Sequence, residues 1–207
     1  MSAYHFRQAD GEHEASPTIF LFHGTGGDEN QFFDFAAQVL PGARRIAPRG
    51  DVSEQGALRY FRRTGEGVYD MADLATRTEA MRAFVSAQIG PDHKGKVIGL
   101  GYSNGANILA SVQFAAPQLF DAVVLMHPLI PFSPAPADYS GRQVLITAGR
   151  RDPIAPAPET STLAAYFETN GADVDRAWHE GGHEIRQEEI SAIAAFLSKP
   201  GPKSHQS

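Results

Sequence analysis

The chain has 207 residues, 42% of them hydrophobic, which suffices for one compact domain with a sizeable core and is short for two. The formal charge is -6 and the 18 Lys and Arg are scattered, apart from the pairs Arg44-Arg45, Arg62-Arg63 and Arg150-Arg151, so no basic stripe suits a nucleic-acid backbone. There is no cysteine, which excludes disulfides, thiolate metal sites, thiol redox chemistry and a cysteine nucleophile together.

Residues 1–14 are studded with Tyr4, His5, Arg7, Asp10, Glu12 and Glu14 and lack the apolar run of a secretory signal. A weak strand is expected at 4–8. The run TIFLFH at 18–23 is continuous and apolar, as a buried central strand requires. A helix follows at 30–40, a weak strand at 43–47, and then residues 48–67, which fit neither period. A long helix is expected over 69–89, then the strand KVIGLGY at 96–102 and a helix over 104–115. Strands at 121–126 and 143–147 enclose residues 127–141, where Pro128, Pro131, Pro134 and Pro136 forbid regular structure. The end of the chain reads as a helix at 158–170 stopped by Gly171, an alternating edge strand at 174–178 and a helix at 185–197. This alternation predicts an α/β domain over 1–199 with a mainly parallel central sheet flanked by helices on both faces, and a polar tail at 200–207. No segment approaches the roughly 18 apolar residues that span a bilayer, so a soluble, cytoplasmic protein with no integral membrane segment is expected. A homodimer is left open.

Gly101-Tyr102-Ser103-Asn104-Gly105 matches G-x-S-x-G between a buried strand and a helix, where a serine on a tight turn needs nearly side-chain-free neighbours. Taken alone the motif also fits an ordinary helix N-cap. A serine hydroxyl needs a base, and the base an acid to fix its tautomer, in the chain order Ser, acid, His for this kind of turn. Asp152, just past a strongly apolar strand and before Pro153, is the best acid. Asp121 precedes its strand and Asp138 lies in the proline loop. His183 follows Gly181-Gly182 between the last strand and the last helix, and is the best base. His127 comes too early in the order and His179 lies within the edge strand. An oxyanion would be held by the amides of Asn104 and Thr25, the latter in the glycine-rich loop after the 18–23 strand. His23 in that loop reads as a structural hydrogen-bonding residue, and no Gly-Lys-Ser/Thr follows to make the loop a phosphate cradle.

His179-Glu180-Gly181-Gly182-His183 also matches the H-E-x-x-H zinc pattern. That pattern works only on a helix, where two central glycines cost about 1 kcal/mol each, so neither a metal nor a cofactor is expected.

With the loop HGTGGDE at 23–29, the elbow GYSNGAN at 101–107, Asp152-Pro153 and Gly182-His183 in view, the chain resembles the phospholipase/carboxylesterase family, in its small bacterial branch, from about Thr18 to Phe196. The resemblance implies an α/β-hydrolase fold without a large cap, and a cofactor-free hydrolase of carboxylic esters or thioesters. It also implies Ser103, Asp152 and His183 as the triad and Thr25 and Asn104 as oxyanion donors. Relatives in the wider family act on acyl-protein thioesters or lysophospholipids, but their HGLGD-type loop is missing here. Serine in place of cysteine sets the chain apart from the related dienelactone hydrolases. Tyr60, Phe61, Arg62, Arg63 and His127 are expected to contact the substrate, a small ester or thioester.

Overall fold

The computed structural model describes residues 4–199, so the tail expected at 200–207 lies outside the described residues. Seven strands form one sheet in the spatial order β1-β3-β2-β8-β9-β10-β11. These are β1 (Phe6–Ala9), β2 (Thr18–Phe22), β3 (Arg44–Pro48), β8 (Val97–Tyr102), β9 (Ala122–Met126), β10 (Gln143–Gly149) and β11 (Asp173–His179). Only β1 runs antiparallel to its neighbour; the other five pairings are parallel. β2, β8, β9 and β10 read as continuous apolar runs because both faces are covered.

The strand alternation divides the core cleanly. Phe20 and Phe22 point to one face, with Val123, Leu125, Val144 and Ile146. They pack under α2 (Met71–Ile89), α3 (Asn104–Ala115) and α4 (Ala157–Thr169), through Met81, Phe84, Ile108, Val112, Leu163 and Phe167. Ile19, Leu21, Ile98, Leu100, Val124 and Leu145 point to the other face, under α1 (Phe33–Val39) and α5 (Gln187–Leu197).

Helix ends depart from expectation for local reasons. α2 begins two residues late because Val68–Tyr69 pair as β7 and the Asp70 side chain caps the Asp73 amide at 3.0 Å. α5 begins at Gln187 because Glu189 reaches back to the Arg186 amide at 2.8 Å, closing the first turn there. Residues 48–67 carry small strands: β4 (Val52–Glu54) pairs with β5 (Ala57–Arg59), and β6 (Arg63–Gly65) with β7.

From β2 the chain crosses to β3 on one side, and from β8 to β9 on the other, so the connections part between β2 and β8. A crevice opens at such a switch point, outside the carboxyl ends of the strands. The Thr25 loop leaves β2 there and Ser103 leaves β8. No helix is long and apolar enough to cross a membrane among the described residues.

Candidate active site

Ser103 stands on the turn from β8 to α3 with φ 52° and ψ -116°, a left-handed conformation that L residues rarely adopt. The turn is held by the Ser103 amide, which donates to the Met126 carbonyl at 2.8 Å. A Cβ on Gly101 would fall 2.5 Å from the Gly105 carbonyl oxygen, and one on Gly105 2.3 Å from that of Phe22, so both flanking positions must be glycine. Ser103 Oγ is 2.8 Å from His183 Nε2, and His183 Nδ1 is 2.7 Å from Asp152 Oδ2. The structure therefore joins the three residues selected from the sequence into one hydrogen-bonded chain.

Asp152 is buried on the turn after β10. Its Oδ1 accepts from the Ile154 and Ala155 amides at 2.8 and 2.9 Å, and its Oδ2 from both His183 and His127. Burial pushes this carboxyl up, but the Ala155 amide and the two imidazoles outweigh it and hold the group below the usual carboxylate range. His183 sits in the loop after β11, its carbonyl accepting from Tyr102 Oη at 2.7 Å. The approach of this loop depends on Gly149, where a Cβ would lie 2.0 Å from the Gly182 oxygen.

Among the described residues, neither the Thr25 nor the Asn104 amide donates to a protein acceptor. Thr25 Oγ1 instead accepts from Arg59 Nη1 at 2.8 Å, and Asn104 Oδ1 from the Tyr60 amide at 2.8 Å, so the segment after β5 pins both residues. His23 is buried and structural: Nδ1 donates to the Gly24 carbonyl at 2.7 Å and Nε2 accepts from the Gly50 amide at 2.9 Å. Burial lowers its pKa, in keeping with this neutral tautomer.

Four of the five expected substrate contacts are corrected. Tyr60 and Phe61 are fully buried; the Tyr60 hydroxyl accepts from the His23 amide and donates to the Pro48 carbonyl, while the Phe61 ring packs edge-on to Tyr69. Arg62 turns outward to Asp70 and Asp73. His127, also at positive φ, is fully buried behind Asp152, with Nε2 3.0 Å from Glu189 Oε1. Only Arg63 stands on the wall of the cleft beside Ser103. Arg59, Glu66, Tyr69, Asn107, Leu129 and Ile154 also line that cleft, whose volume is about 270 Å³. A second groove of about 480 Å³ shares Glu66, Gly67, Leu129 and Ile154 with it and runs along the proline-rich loop, so both irregular segments border the site.

The H-E-x-x-H pattern is broken in space. His179 ends β11 and faces Glu189 Oε2 at 3.1 Å, whereas His183 faces Ser103 and Asp152. Ligand-type atoms do gather in two sets among the described residues, His127-Asp152-His183 and His127-His179-Glu189, but neither joins His179 to His183.

Residues 49–192 match the model of the dienelactone hydrolase family. The chain belongs to that family. The serine that set it apart from these hydrolases in the sequence is thus a variation inside the family. A Bacillus subtilis (strain 168) protein called hydrolase MhqD is 37% identical over 174 residues, 83% of this chain and 87% of that one. The solved structure of Atu2452 from Agrobacterium tumefaciens, of unknown function, superposes with a TM-score of 0.90 at 53% identity, covering 95% and 98% of the two chains. The Bacillus cereus carboxylesterase superposes at 0.89 with 31% identity over 95% and 94%. This dienelactone hydrolase family member is a small carboxylesterase-like α/β-hydrolase with no large cap.

Proposed function

We propose that this hydrolase cleaves small carboxylic esters or thioesters through an acyl-enzyme on Ser103, with His183 as general base and Asp152 as its orienting acid. The observation that carries the reading is the unbroken path from Ser103 Oγ to His183 Nε2 at 2.8 Å and from His183 Nδ1 to Asp152 at 2.7 Å. Asp152 accepts the Nδ1 proton, which leaves Nε2 as a lone pair facing the serine hydroxyl. His183 takes the hydroxyl proton as Oγ bonds to the substrate carbonyl carbon. The oxygen that becomes negative is held by the free amides of Thr25 and Asn104, the second at the positive end of α3. His183 then passes the proton to the departing alkoxide or thiolate, and the acyl-enzyme remains. Water, deprotonated by the same imidazole, attacks the acyl carbon and returns Ser103 to its starting state.

The names of similar structures support the ester class, since the Bacillus cereus relative is called a carboxylesterase. The test is hydrolysis of p-nitrophenyl esters of graded chain length by wild type and Ser103→Ala, with a fluorophosphonate and with a chelator. Turnover should fall about 10⁴-fold or more in the variant, vanish with the fluorophosphonate and ignore the chelator. Full activity in a folded Ser103→Ala protein sinks the proposal, and chelator-sensitive activity that survives the mutation points to metal chemistry instead.

A further inference from the structure

The Arg59 guanidinium is only 3% exposed and lines the same small cleft as Ser103. Its Nε donates to the Phe61 carbonyl at 3.3 Å and its Nη1 to Thr25 Oγ1 at 2.8 Å, both neutral acceptors. Its nearest carboxylate is Glu54, 3.3 Å away, and Glu54 is already engaged: Arg63 Nε donates to its two oxygens at 3.0 and 3.2 Å. Arg63 holds Glu66 as well, at 3.0 Å. Two arginines therefore face two carboxylates, but Arg63 takes most of both. Arg59 is left with part of one counter-ion and with an Nη2 that has no protein acceptor. Burial, with Arg63 adding to it, lowers the Arg59 pKa, in keeping with a cation that lacks its share of negative charge. A buried charge is costly unless it is paired, and a guanidinium left short on the wall of a reactive cleft is completed by an anion entering that cleft.

We propose that Arg59 is an anion subsite beside Ser103, so that the preferred substrates are short esters or thioesters carrying a second carboxylate. The inference rests on the serine hydrolase reading above for its chemistry, though not for its binding. Contacts to Phe61 and Thr25 fix the guanidinium before substrate arrives, so little side-chain freedom is lost on binding. The cleft volume of about 270 Å³ suits a short acyl chain.

The experiment compares glutaryl and pentanoyl thioesters of N-acetylcysteamine, with thiol release followed colorimetrically; a protein with no cysteine adds no background to that readout. Wild type should prefer the glutaryl thioester in kcat/KM by about 10- to 100-fold, Arg59→Gln should lose that preference, and Glu54→Gln should enlarge it by freeing the cation further. Calorimetry on Ser103→Ala, with glutarate and its diamide as probes, reads the subsite without chemistry: glutarate should bind, the diamide should not, and adding Arg59→Gln should abolish binding. The proposal is overturned if wild type treats both thioesters alike, or if Arg59→Gln slows both equally, since Arg59 then only holds Thr25. If Arg59→Gln does not fold, an unchanged preference in Glu54→Gln overturns it. If no thioester is hydrolysed the serine hydrolase reading fails, and glutarate binding then decides the subsite alone.

Discussion

His127 and His183 bring their Nδ1 atoms to the same oxygen of Asp152, at 2.8 and 2.7 Å. The two imidazoles differ in their far nitrogens. His183 Nε2 meets a hydroxyl, whereas His127 Nε2 lies 3.0 Å from Glu189, as a close charge contact rather than an aligned hydrogen bond. An imidazole with a carboxylate on either side, fully buried, is held with both nitrogens protonated. Burial alone would lower the His127 pKa, but Glu189 and Asp152 outweigh it and raise it. The other groups facing it are His179, His183 and the ring of Tyr102.

Replacing His127 by Gln should therefore cost stability in a pH-dependent way. A raised folded pKa contributes stability that is fully present below the unfolded value, about 6.5, and is lost as pH rises through the folded value. The stability gap between wild type and His127→Gln, read by urea denaturation from pH 6 to 9, should be widest at pH 6 and shrink as the pH rises. A gap that stays constant across that range means that His127 is neutral in the folded protein.

Glu189 should show the opposite sign. It is fully buried; burial raises its pKa, but His127 and Thr147 outweigh that and hold it below the usual range. Its contribution is present above the unfolded value and is lost as pH falls through the folded one. Glu189→Gln, which leaves His127 with one carboxylate, should cost about 3 kcal/mol at pH 7. The difference from wild type should narrow under acid conditions, where Glu189 itself becomes protonated. Equal denaturation midpoints at pH 7 contradict this account of α5.

The sheet and the Ser103-His183-Asp152 path were legible because each rests on a local signal: buried apolar runs for the strands, a glycine-flanked serine between strand and helix, a carboxylate just past a strand, a histidine after two glycines. The cleft walls were not. In residues 48–67 the strands are two or three residues long, too short for any period to stand out. Which of Arg59, Arg62 and Arg63 faces the cleft is a matter of side-chain direction that a one-residue slip reverses, and here Arg62 turns out while its neighbour turns in. Tyr60 and Phe61 carry the composition of a binding loop but are buried, because the Tyr60 hydroxyl finds partners at His23 and Pro48. Glu189 looks like any helix-surface acid, and only the burial of His127 and His179 gives it a role.

Gly149 predicts a specific failure. Because the missing Cβ is where the Gly182 oxygen lies, Gly149→Ala must displace the loop that carries His183. A misplacement of about 1 Å can lower turnover by about 100-fold. We expect a folded protein with a normal far-ultraviolet spectrum and esterase activity reduced to that extent. Unchanged activity means that the His183 loop accommodates the methyl group without moving.

Ser103 separates stability from function most directly. A non-glycine residue held at positive φ costs about 1–3 kcal/mol, which the surrounding hydrogen bonds and packing sustain. Ser103→Ala and Ser103→Gly both remove the hydroxyl, so activity should be lost in each, but only the glycine relieves the backbone. Against this relief stands the greater freedom of glycine in the unfolded chain, about 0.4–1 kcal/mol. Strain at the upper end of its range leaves Ser103→Gly the more stable of the two by about 1–2 kcal/mol in urea denaturation. A glycine variant less stable than the alanine one means that the turn stores no strain beyond the entropy difference, and that its left-handed conformation is imposed by the Gly101 and Gly105 contacts at little cost.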